Sequence, residues 1–166
     1  TTLEEFSMKF PLQNIEVFPH VAYDSVNITA LRNGILNDES IQDEYITTLI
    51  DKSTRFNYTG YSLDLFPNDD ELGYIQYADG QSYADFVDKF SGRLHKIGKQ
   101  LRVYAEPGDL FSNIELLTQT SVDLIITQAY EYKIDIGQFR DKLFFALHHV
   151  KKEKLVDTPP FTILQD

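Results

Sequence analysis

Two periods alternate along this chain of 166 residues. Short apolar runs bounded by polar residues, Gly or Pro read as strands, and longer stretches with apolar residues three or four apart read as helices. Residues 1–13 form a mixed leader. From Asn14 the run Ile15, Val17, Phe18, Val21 predicts a first strand that is interrupted by Pro19 and ends in Tyr23-Asp24-Ser25. Proline cannot donate to a ladder, so this strand is expected to be irregular or to lie at a margin. A loop through Gly34 leads to Asn37-Asp38, which reads as a helix cap, and Ile41, Tyr45, Ile46, Leu49, Ile50 and Phe56 then define one apolar stripe.

A second strand follows directly over residues 58–66. An acidic loop over 67–81 separates it from Ser82 and Asp85, whose spacing suggests a capping box for a helix marked by Tyr83, Phe86, Val87, Phe90, Leu94 and Ile97 and stopped by Gly98. Leu101 to Ala105 is a third strand, residues 110–119 a short helix, and Val122 to Thr127 a fourth strand. Asp135 opens a last helix with Ile136, Phe139, Leu143, Phe144, Leu147 and Val150 inward, and Phe161 to Leu164 closes the chain as a fifth strand after Pro159-Pro160. Strands alternating with helices require a parallel sheet covered by helices, an α/β fold.

The polar residues collect where strands hand over to helices: Tyr23, Asp24, Asp64, Glu106, Gln128, Tyr130 and Glu131. Ligands of α/β proteins bind at the carboxyl ends of the strands. Asp64 stands out: Tyr61, Leu63 and Leu65 suit a buried strand, which should be almost continuously apolar, and Asp64 alternates between them. A carboxylate in a buried strand is costly unless paired or hydrogen-bonded, so Asp64 is either a satisfied structural acid or part of a site.

Composition narrows the choice. A formal charge of −11 argues against nucleic acid and against anionic membranes, which are bound through basic patches. No apolar run reaches the roughly 18 residues of a membrane span. The chain has no Cys, which excludes thiolate metal sites and cysteine nucleophiles. His20, His95, His148 and His149 are too scattered for a metal site, and Asn68-Asp69-Asp70-Glu71 lacks the spacing of a calcium loop, so no metal or cofactor is expected. No phosphate-binding glycine fingerprint or nucleophile elbow occurs. Two sequons, at Asn27 and Asn57, point toward an extracellular or secretory location. Tyr23, Tyr104, Tyr130 and Tyr132 are flat, amphipathic surfaces of the kind sugar rings stack on.

The order of elements and two segments resemble glycoside hydrolase family 18, the chitinases and endo-N-acetylglucosaminidases. That family carries Asp-Gly-x-Asp-x-Asp-x-Glu on the fourth strand of a (β/α)8 barrel, and Thr59-Gly60-Tyr61-Ser62-Leu63-Asp64-Leu65-Phe66 falls in register with it. The helix Ile41 to Phe56 resembles the family's third helix. The segment from Val122 to Tyr132 is similar to its sixth strand, which ends in Met-x-Tyr-Asp where this chain has Tyr130-Glu131.

The resemblance implies that the final Glu protonates the glycosidic oxygen while the substrate's own acetamide attacks. Here that position is Phe66, and the first two Asp positions are Thr59 and Ser62. General acid catalysis contributes about 10²–10⁴-fold, and phenylalanine cannot supply it. The expectation is therefore a pseudo-glycosidase with no catalytic residues and a structural or glycan-binding role. Its expected ligands are chitin-like or N-glycan oligosaccharides, met by Tyr23, Asp64, Glu106, Tyr130 and Glu131. The alternative is an active glycosidase with its acid relocated to Glu106 or Glu131. A (β/α)8 barrel takes about 250 residues. The resemblance therefore implies a single incomplete barrel domain, its β/α units over 14–165 matching about strands three to seven, with other segments or chains completing it.

Overall fold

The computed structural model describes residues 15–68, 73–106, 108–127 and 155–157. In chain order the elements are β1 (His20–Asn27), α1 (Ile28–Arg32), α2 (Glu39–Arg55), β2 (Gly60–Asn68), α3 (Tyr77–His95), β3 (Gln100–Ala105), α4 (Ile114–Leu117), β4 (Leu124–Thr127) and β5 (Leu155–Asp157). All neighbouring strands are parallel, and sheet order equals chain order, β1-β2-β3-β4-β5.

Local chemistry explains the helix boundaries. Asp38 caps α2 by accepting from the amides of Ser40 and Ile41 at 2.9 and 3.0 Å, as the sequence suggested. At the other end Tyr58 N–H donates to Ser53 C=O and Asn57 N–H to Thr54 C=O, with Asn57 in the left-handed region at φ 53°. Gly98 at φ 70° closes α3 in the same way, with Lys99 N–H reaching back to Leu94 C=O. This reversal satisfies the last carbonyls of each helix and turns the chain straight into the next strand.

One face of the sheet is sealed by the helices. Tyr61, Leu63 and Leu65 of β2 and Leu101, Val103 and Ala105 of β3 are buried against Ile46 of α2, Phe86, Val87, Phe90 and Leu94 of α3 and Leu117 of α4. Tyr61 donates its hydroxyl to Leu49 C=O at 2.7 Å and lays its ring against Phe90 at 6.0 Å. On the opposite face Asp64, Phe66, Arg102, Tyr104, Leu124 and Ile126 are only half-buried.

Several boundaries differ from the sequence reading. β1 starts after Pro19 and runs through Tyr23-Asp24-Ser25, because proline is tolerated just ahead of a strand. Among the described residues it lies at the margin of the sheet, and its register shifts between Asp24 and Val26. α3 begins at Tyr77, not near Ser82. Its start is set by Asp79, whose carboxylate accepts from Gln76 N–H at 2.7 Å and is clamped by Arg32 at 2.7 and 2.8 Å. Arg32 is 47 residues away, so no local pattern reveals it. α1, capped by Asn27, lies within the stretch read as a loop, and α4 is a single turn. β5 pairs with β4 just beyond the lysines read as the end of the last helix. The predicted helix over 135–150 and strand over 161–164 lie outside the described residues.

Candidate functional site

Asp64 sits on the open face of β2, with Ser62 before it and Phe66 after it. Its side chain is 16% exposed, and the imidazole of His20 meets it, Nε2 to Oδ2, at 2.9 Å. Since the carboxylate accepts, Nε2 carries the proton. The parallel register brings them together: His20 pairs with Ser62, and Ala22 pairs with Asp64. Ala22 is small and exposed, and the longer imidazole reaches Asp64 from two register pairs earlier. On its other flank His20 touches the ring of Tyr104 edge-on, with centroids 5.2 Å apart and planes at 75°. His20, Asp64 and Tyr104 thus span three neighbouring strands on one face.

A second group lies beneath the carboxyl ends of β2 and β3. Tyr83 of α3 is fully buried and stacked on Phe111 at 4.5 Å, and its hydroxyl has no hydrogen-bond partner among the described residues. Burial, reinforced by the charges of Asp64 and Asp109, pushes its phenol above the ordinary tyrosine range, so the proton stays on. The loop after β3 is organised by Asp109, which accepts from the amides of Phe111 and Ser112 and from the Ser112 hydroxyl at 3.1, 2.9 and 2.7 Å. Ser112 Oγ in turn accepts from Glu106 N–H at 3.1 Å, which fixes the backbone of Glu106 at the end of β3. A Cβ on Gly80 would lie 2.1 Å from Leu110 C=O, so α3 and this loop abut backbone to backbone.

The residues singled out in the sequence therefore divide. Thr59 and Gly60 belong to the amino end of β2. Thr59 Oγ1 accepts from Val17 N–H at 2.9 Å, and a Cβ on Gly60 would come within 2.0 Å of Gln100 C=O. Ser62 is buried mid-strand, and Phe66 is half-buried near the carboxyl end, in register with Asp24. Tyr23 lies in β1 opposite Leu65. Tyr130, Glu131, His148, His149 and the acidic run over 69–71 lie outside the described residues. No group of three or more His, Asp or Glu able to hold a metal forms among the described residues, and no helix there is long and apolar enough to cross a membrane. A cleft of about 400 Å³ at the opposite, amino end of the sheet is lined by Glu16, Asn57, Thr59 and Lys99. There the Lys99 ammonium donates to Tyr58 C=O, and burial lowers its pKa from the ordinary lysine value.

The residue missed in the sequence is His20. An isolated histidine after a proline carries no signal of its own. Only the strand register, with β1 starting where it does, sets it against Asp64.

No protein-family model and no curated protein sequence matches the chain. Solved structures do. The spore cortex-lytic enzyme SleL of Bacillus megaterium is 16% identical with a TM-score of 0.70, over 99% of this chain and 42% of that one. The Group IV chitinase of Ostrinia furnacalis, solved with allosamidin, is 15% identical with a TM-score of 0.74, over 95% and 50%. The catalytic domain 2 of the Group II chitinase of the same insect, in complex with a (NAG)5 oligosaccharide, is 15% identical with a TM-score of 0.70, over 93% and 47%. The fold is α/β, a parallel sheet with helices that matches part of these chitinase-like barrels. At these identities the likeness is one of fold, and the chain spans about half the length of the structures it matches.

Proposed function

We propose that this chain is part of a chitinase-like barrel that no longer cleaves its ligand and instead binds N-acetylglucosamine-type glycans on the open face of the sheet. The observation that carries the reading is Phe66. It follows Asp64 by two residues on the same face of β2, where the resemblance calls for the proton donor. Asp64 is the central polar contact. Glu106, just beyond β3, is a further proposed contact, with Tyr130 and Glu131 from the sequence reading; Tyr23 is kept as a proposed contact although it lies inside β1 in register with Leu65 rather than with Asp64. The half-buried face and the coverage of about half of each matching barrel support completion by further segments or chains. The exposed Asn27 and Asn57 are compatible with passage through a secretory pathway.

The test is calorimetric titration with chitooligosaccharides beside an assay on a chromogenic N-acetylglucosamine glycoside. Binding without turnover, lost in Asp64→Ala, supports the reading. No binding, with Asp64→Ala changing only stability, leaves a structural scaffold. A second reading is favoured by the placement of Glu106, whose backbone the Ser112 hydroxyl anchors at the carboxyl end of β3. In it Glu106, or Glu131, acts as a relocated acid. Turnover that disappears in Glu106→Gln or Glu131→Gln supports this alternative.

A further inference from the structure

We propose that His20 is a positioning residue for Asp64, fixing the rotation of its carboxylate on the open face. The consequence for glycan recognition rests on the reading given under Proposed function; the contact itself does not. A carboxylate with 16% of its side chain exposed has lost most of its water. Each hydrogen bond made to such a carboxylate offsets part of that loss and restricts its rotation. The Nε2–H of His20, 2.9 Å from Oδ2, replaces that water.

The imidazole is itself held. The edge of Tyr104 flanks it at 5.2 Å, and β1 delivers it from the Ser62 register position rather than from a flexible loop. Ala22, the true cross-strand neighbour of Asp64, has no polar atom in its side chain and could not do this. A sugar hydroxyl or acetamide N–H arriving at the open face therefore meets a carboxyl group already oriented. Preorganisation of this kind contributes affinity by removing the cost of ordering at the moment of binding. His20 acts through Asp64 and takes no part in any chemical step.

The experiment combines a ligand-free and a ligand-dependent reading on the whole chain. Urea unfolding midpoints are compared for wild type, His20→Phe, Asp64→Asn and the double variant, and each protein is titrated with chitopentaose. His20→Phe keeps a ring against Tyr104 and removes the donor, whereas His20→Gln supplies an amide N–H in place of Nε2–H. The expected result is a non-additive cycle. With it, His20→Phe should lose about tenfold in affinity, as for one hydrogen bond to a charged group, and His20→Gln should stay within about threefold of wild type. Additive midpoints overturn the proposal, as does His20→Phe binding with wild-type affinity. If the cycle is coupled but wild type binds no oligosaccharide, the positioning role stands and the glycan reading falls.

Discussion

Replacing Arg32 by leucine tests the most strongly tied polar junction in the fold. Arg32 Nε and Nη2 reach Asp79 Oδ1 and Oδ2 at 2.7 and 2.8 Å, and Nη2 also donates to Tyr74 C=O at 2.6 Å. The Asp79 side chain is 8% exposed and that of Arg32 23%. Removing one partner of a buried pair strands the other charge, at a cost of about 3–5 kcal/mol. Arg32 retains some contact with water, and Asp79 keeps its bond from Gln76 N–H, so the lower end applies, about 3 kcal/mol. For a chain of this size that lowers Tm by about 6–12 °C.

The pH dependence follows from the direction of the shift. The hydrogen bond from Arg32 holds the Asp79 carboxyl below its ordinary value, with burial opposing it. A group whose folded pKa is depressed contributes stability that is full above its unfolded value and is lost as pH falls through the lowered folded value. Urea unfolding of wild type and Arg32→Leu should therefore differ most at neutral pH and converge in acid. The difference that remains in acid is the pH-independent part, which includes the lost bond to Tyr74. A difference below about 1 kcal/mol at neutral pH, the size of an exposed ion pair, would refute the reasoning. So would a gap of constant size from neutral pH into acid.

Other expectations follow from single contacts. Tyr83→Phe removes a buried hydroxyl with no partner among the described residues and should raise stability by about 1 kcal/mol in calorimetry; clear destabilisation would reveal a partner for it. Gly60→Ala drives a methyl to within 2.0 Å of Gln100 C=O and should cost about 3 kcal/mol or more, read from the urea midpoint. Its control is Gly92→Ala in α3, where nothing lies within 4 Å and helix propensity predicts a gain of up to about 1 kcal/mol. Size-exclusion chromatography of the expressed chain should show association, because β1 and β5 leave both sheet margins unpaired among the described residues; a stable monomer would count against completion by other chains.

What the sequence revealed depended on how far each signal reaches. The stripe Ile41 to Phe56 and the cap at Asp38 are local, and α2 lies where they put it. Asp64 places a carboxylate in a strand expected to be almost continuously apolar, which flags its need for a partner, but His20 lies 44 positions upstream at the start of a strand that begins later than the apolar run predicts. The start of α3 was missed for the same reason, since Arg32 arrives from α1. Short elements such as α1 and β5 contain too few residues to show a period at all. Parallel register and long-range ion pairs are settled by packing, and a single chain of letters carries little trace of either.

The identity of sheet order and chain order has a consequence for biosynthesis. Each strand docks on the one made just before it, so a nascent chain leaving the ribosome can add one unit at a time to an existing edge, with no distant segment needed to close a pair. Each addition must still close the span of its crossover, as from His20 to Ser62 or from Gly60 to Gln100, so every parallel pairing carries a loop-closure cost that a hairpin avoids.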